Sequence, residues 1–144
     1  MDATEQYEKW KAQFPLCFER TGSCMDFGLQ CGSGWFPLLE RLLAKIEAHL
    51  AEKYAAGFHD PEYGFRIDQI KEKFGTLRFY VGGGDDTIFR WIVDTERESA
   101  QTCEMSGAPG TLHCKRGGFW LRTLSPEKAA EYDYEPYNND ESFI

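Results

Sequence analysis

The chain has 144 residues, 42% of them apolar and 15% aromatic, and its 24 acidic side chains against 16 basic ones give a net charge of −8. That is one domain's worth of sequence, able to bury a core without disulfide or metal staples and too apolar for a disordered segment. It has no apolar run near the ~20 residues that cross a bilayer, and its acidity opposes binding by phosphate neutralisation, which needs a cationic footprint. The expected partner is therefore a protein with a basic surface, with neither direct nucleic-acid contact nor membrane binding. The first residues, Met1 to Glu5, lack the basic and apolar regions of a secretory signal, and five cysteines cannot all pair within one chain. A reducing cytoplasm and free thiols are expected.

In chain order, Tyr7, Trp10 and Phe14 form an aromatic stripe at spacings of three and four, which predicts a first helix over Glu5 to Phe14 closed by Pro15. A glycine-bearing loop follows from Thr21 to Ser33, and Cys17, Cys24 and Cys31 in or beside it read as small buried hydrophobes. Ser33 as cap and Pro37 in the first turn open the main helix. Its apolar face is Leu38, Leu39, Leu42, Leu43, Ile46 and Leu50, and it continues to about Tyr54 with Gly57 beyond its end. His49 beside that face reads as a satisfied half-buried histidine, and His59 to Gly64 as a turn.

From Phe65 the period becomes two. Phe65, Ile67 and Gln69 face one way, and after a charged connection over Lys71 to Gly75, Leu77, Phe79 and Val81 do the same, which predicts two antiparallel strands. Phe74, in that charged tip, is a candidate partner-binding residue. The triplet Gly82-Gly83-Gly84 is a turn rather than a phosphate loop, since no Gly-Lys-Ser or Gly-Lys-Thr follows and Asp85 and Asp86 would repel phosphate. One of those aspartates caps a helix over about Thr87 to Thr102, with Ile88, Trp91, Ile92, Thr95 and Ser99 inward. Thr111 to Cys114 and Phe119 to Leu124 predict a second hairpin around Gly117-Gly118, and Ser125-Pro126 opens a short last helix. Trp35 and Trp120, each near glycines that let backbone pass close to a large ring, both read as core.

The segment from Cys103 to Gly110, with His113, Cys114 and Ser125, has the layout of a zinc knuckle, but serines stand at two thiolate positions. Structural zinc takes four Cys or His ligands. No metal and no cofactor are expected, and the knuckle must hold by packing. Beyond residue 130 the chain is acidic and tyrosine-rich, which divides it into a domain over 1–130 and a tail over 131–144. A solvated end is one reading of the tail. The other is an arm that docks on a basic groove through Asp133, Tyr134, Glu135, Tyr137, Asp140 and Glu141.

Three runs carry a resemblance over about residues 24 to 130: Cys31 to Leu39, Ile70 to Tyr80, and Thr102 to Gly110 with Trp120 to Leu124. Together they resemble a family of small uncharacterised proteins common in phages and prophages, whose last motif reads Cys-x-x-Cys-Gly followed by Thr-Leu-Cys and a histidine. Here Ser106 and Ser125 replace two thiols, and Lys128 or Ala129 stands near the histidine position. The resemblance implies a mobile-element origin and the fold, and it carries no activity. The expected architecture is α+β, two main helices on a small antiparallel sheet with the degenerate knuckle at the C-terminal edge. The expected function is a non-enzymatic, phage-encoded inhibitor that occludes a basic, nucleic-acid-binding site of a bacterial defence protein such as a CRISPR effector. The alternatives are a toxin-neutralising immunity protein and a small enzyme in which Cys24 or Cys103 works with His49, His59 or His113.

Overall fold

In the computed structural model, which describes residues 1–137, four helices and five strands build an α+β fold. Helix α1, Ala3–Gln13, begins at a capping box: the Asp2 carboxylate accepts the Glu5 N–H at 2.8 Å and Glu5 returns a bond to the Asp2 N–H. Its stripe turns inward, burying Trp10 edge-on to Phe36 at 5.6 Å, with the indole N–H donated to Glu40. Helix α2, Phe36–Ala55, buries the six aliphatic residues its spacing picked out.

Ser33 does not cap α2. Ser33–Trp35 is a 3₁₀ turn, because the flanking amides are bound elsewhere: Gly32 N–H to Glu104 Oε2 at 2.9 Å and Gly34 N–H to the Glu104 carbonyl at 2.7 Å. The helix start is thus fixed by docking on a distant segment rather than by a local cap. The three N-terminal cysteines also separate, Cys17 being buried and Cys31 half-buried while Cys24 is exposed, contrary to the expectation that all three sit inside.

Strands β1, Arg66–Lys73, and β2, Thr76–Gly82, pair antiparallel with a bulge at Asp68. The bulge inserts one residue, so the inward positions of β1 are Ile67 and Ile70 rather than Ile67 and Gln69. The charged residues Lys71 to Lys73 belong to the strand, and the connection is only Phe74-Gly75. Helix α3, Asp86–Ser99, is capped by Asp85, whose carboxylate accepts the Ile88 N–H at 2.9 Å. Burial works against that carboxylate's charge, but bonds from Lys53 at 2.8 Å, His49 at 2.7 Å and the Ile88 N–H outweigh it and hold Asp85 far below the usual carboxylate range. Helix α3 also closes the outer edge of β2: Leu77 N–H donates to Ser99 Oγ at 3.0 Å and Phe79 N–H to Glu96 Oε2 at 2.9 Å.

The second sheet is separate from the first, with order β4-β3-β5: β3 is Thr111–Lys115, β4 Leu121–Leu124 and β5 Tyr134–Pro136. Helix α4, Pro126–Glu131, capped by Ser125, links β4 to β5. The expected single sheet is therefore two small ones. The main core gathers side chains from α1, α2, β1, β2 and α3, and a smaller cluster of Cys103, Leu124 and Ala129 lies under the knuckle. Among the described residues no helix is long and apolar enough to cross a membrane.

Candidate functional site

The knuckle keeps its shape through hydrogen bonds. Cys103 N–H donates to the Ala108 carbonyl at 2.7 Å, Gly107 N–H to the Cys103 carbonyl at 2.9 Å, and Ala108 N–H to Ser106 Oγ at 3.2 Å, with Gly107 at φ 81°. The Cys103 sulfur is fully buried and accepts the Ser106 N–H at 3.4 Å. Burial opposes its ionisation, yet the Ser106 hydroxyl and the N–H groups of Ser125, Ser106 and Met105 outweigh that and bring the thiol down to about 7. The donor set does not fit zinc: the two serines serve the turn and the α4 cap, His113 turns its Nδ1 to the Thr111 carbonyl, and the Cys114 thiol faces the Gly118 carbonyl. No group of three Cys, His, Asp or Glu residues gathers among the described residues. The other two histidines are also engaged away from thiols, His49 with Asp85 and His59 with Glu19 at 2.8 Å and stacked on Tyr54.

Beside the knuckle, Glu104 is buried and ties three segments together, accepting from Gly32 N–H and from Arg122 Nε at 3.1 Å. The tip of the first hairpin is tied to the same place. Gly75 N–H donates to Glu72 Oε2 at 2.7 Å, its carbonyl accepts the Thr123 hydroxyl at 2.7 Å, and it bridges to Arg122 of β4. Both turn residues have positive φ, 54° at Phe74 and 87° at Gly75. Glycine is suited to this conformation, and a Cβ at Gly75 would also lie 2.4 Å from Leu112 Cδ1. Phenylalanine is not suited to it: a bulky side chain at positive φ is strained by about 1–3 kcal/mol.

That strained residue is 68% exposed and does not stand alone. The loop between β3 and β4 carries Phe119, 99% exposed, and Trp120, 66% exposed. With Glu72, Lys73 and Leu121 the three rings line a groove of about 350 Å³. The close ring pairs among the described residues are Tyr7–Phe18, Trp10–Phe36, His49–Trp91 and Tyr54–His59, so the groove rings keep their faces free of one another. This cluster corrects the reading of Trp120 as core. Its glycines build a turn, with Gly117 at φ 76° and Gly118 N–H bonded to Lys115 O, instead of letting backbone approach a buried ring. The sequence reading placed Phe119 at the start of a strand over Phe119 to Leu124, whereas it lies with Trp120 in the loop before Leu121.

Of the remaining candidate residues, Asp133 and Glu135 are both paired with Arg116, at 2.9 and 3.0 Å. Tyr134 is half-buried against the knuckle cluster with Lys115 Nζ 5.3 Å from its ring, and Tyr137 N–H donates to the Leu112 carbonyl. Within the expected tail, Tyr134–Pro136 is thus a strand of the second sheet, and Asp133 and Glu135 form solvent-exposed pairs with Arg116. Asp140 and Glu141 lie outside the described residues. Comparison with protein-family models, curated proteins and solved structures returned no match.

Proposed function

We propose that the chain is a non-enzymatic binding module whose contact face is the Phe74–Phe119–Trp120 groove, and that it acts as a phage- or prophage-encoded inhibitor covering a basic, nucleic-acid-binding site of a bacterial protein. The observation that carries the contact face is the convergence of three strongly exposed rings from two hairpins on one groove, one of them held in a strained conformation. Large rings left together in water mark surfaces that a partner covers, and aromatic anchors dominate the energy of protein contacts. The net charge of −8 supports a basic partner, and the motif resemblance supports the mobile-element origin.

The test is a pull-down from bacterial lysate with wild-type protein and with the double variant Phe119→Ser, Trp120→Ser, followed by mass spectrometry. The expected result is one stoichiometric basic protein retained by the wild type, lost with the double variant, and unable to bind nucleic acid while complexed. A partner held equally by both proteins would overturn the groove as contact face. A partner that still binds nucleic acid in the complex would overturn the inhibitory role.

A further inference from the structure

Resting on the groove as contact face, we infer that its anchor is a single arginine side chain of the partner, held between the rings of Phe74, Phe119 and Trp120 with the Glu72 carboxylate beside them. Aromatic rings carry negative charge on their faces, and a cage of them recognises a cation that has shed some of its water. The groove has the parts for this. Three rings that do not pack on one another surround it, and its lining includes one carboxylate. Glu72 commits only Oε2, to the Gly75 N–H, and its other oxygen has no donor among the described residues. The chain itself shows that a Phe74 face accepts a cation, since Lys73 Nζ lies 5.6 Å from that ring's centroid.

Lys73 also sets the terms of the contact. Its ammonium competes with an incoming cation for the same ring and repels it, so the groove favours a ligand that binds by planar stacking as well as by charge. A guanidinium does this, being flat, weakly hydrated and able to lie on an aromatic face, whereas an ammonium is a compact, strongly hydrated point charge. A purely apolar anchor would leave Glu72 facing a dry contact without a donor, which is unfavourable. An arginine anchor also agrees in sign with the charge of the chain, the partner being basic and this protein acidic.

The probe is a blocked pentapeptide with one arginine between glycines and serines, titrated against the full chain and followed by the Trp120 indole N–H resonance, which is assigned by its loss in Trp120→Phe. Matched peptides carry citrulline or leucine in place of arginine. The arginine peptide should shift the Trp120 signal, and citrulline, which keeps the shape and loses the charge, should bind about tenfold more weakly. Lys73→Met should tighten arginine binding about threefold and Glu72→Gln should weaken it by a similar factor, the glutamine still accepting the Gly75 N–H. Equal binding of all three peptides would overturn the arginine anchor, as would a Lys73→Met variant that binds the arginine peptide less well. No movement of the Trp120 signal with any peptide would overturn it as well. In each case the contact face itself is judged separately, by whether Phe119→Ser, Trp120→Ser still loses the partner in the pull-down.

Discussion

Two segments of this chain place a tryptophan just after glycines, and the fold treats them in opposite ways. In Gly32-Ser33-Gly34-Trp35 the ring is fully buried and its indole N–H donates to the Thr102 carbonyl at 2.8 Å; in Gly117-Gly118-Phe119-Trp120 the ring is 66% exposed. The difference lies in what the glycines touch. A Cβ on Gly34 would sit 2.2 Å from the Cys103 carbonyl oxygen, so that glycine exists to let two backbones meet, while a Cβ on Gly118 would come no nearer than 3.6 Å, to the Lys115 side chain. The same residue types thus serve as a docking seam in one place and as a turn that lifts rings into solvent in the other.

The strongest test of that contrast is truncation of each ring. Trp35→Ala should destabilise the chain by about 3–5 kcal/mol in denaturant titration, and Trp120→Ala by less than about 0.5 kcal/mol. Equal losses would mean that the second ring is structural and that the groove is not a free surface. Next in size are the glycines. Gly34→Ala must displace backbone and should cost about 1–3 kcal/mol, whereas Gly118→Ala, with room for a methyl and a φ outside the left-handed region, should be nearly neutral.

The comparison sharpens at Phe74. Replacing it with asparagine puts a residue that tolerates positive φ into a two-residue turn, and Phe74→Asn should raise stability by about 1 kcal/mol while weakening partner binding. A stabilised variant that binds as well as wild type would remove Phe74 from the contact face. The last expected effect, read through pH rather than through truncation, belongs to Cys103 under the docking seam. Its thiol ionises at about 7 in the folded chain and near 8.5 when unfolded, so between those values the unfolded state binds more protons. The resulting stabilisation is present above about pH 8.5 and lost as pH falls through about 7. Burial raises the Cys17 and Cys31 thiols in the folded chain, which works in the opposite direction, so the denaturant midpoint of Cys103→Ser should fall relative to that of the wild type as pH rises across that range.

Much of the fold was legible because local patterns set it. The aliphatic period of Leu38 to Leu50, the Asp85 and Ser125 caps and the alternation of Leu77 and Phe79 each follow from neighbours in sequence. What was not legible depended on distant partners. The failed Ser33 cap is explained by Glu104, the depth of Ile70 by a bulge at Asp68, and the strand within the tail by pairing of Tyr134 to Pro136 with β3. At the site, Phe74 was legible as a ring in a polar tip. Phe119 and Trp120 were hidden because exposure depends on where a turn stands relative to the core, which residue type does not encode.

The bonds from Ser99 and Glu96 to the outer edge of β2 bear on how this protein behaves in concentrated solution. Unpaired N–H and C=O groups on an exposed strand edge invite neighbouring molecules to add strand upon strand, an assembly that grows without limit. Here the N–H groups of Leu77 and Phe79, which such growth would use, are already taken by α3. At the far side of the second sheet Pro136 offers no N–H to donate. Strand addition is thereby opposed at these two edges, so the rings of the groove meet a counterpart through side chains rather than through a shared sheet.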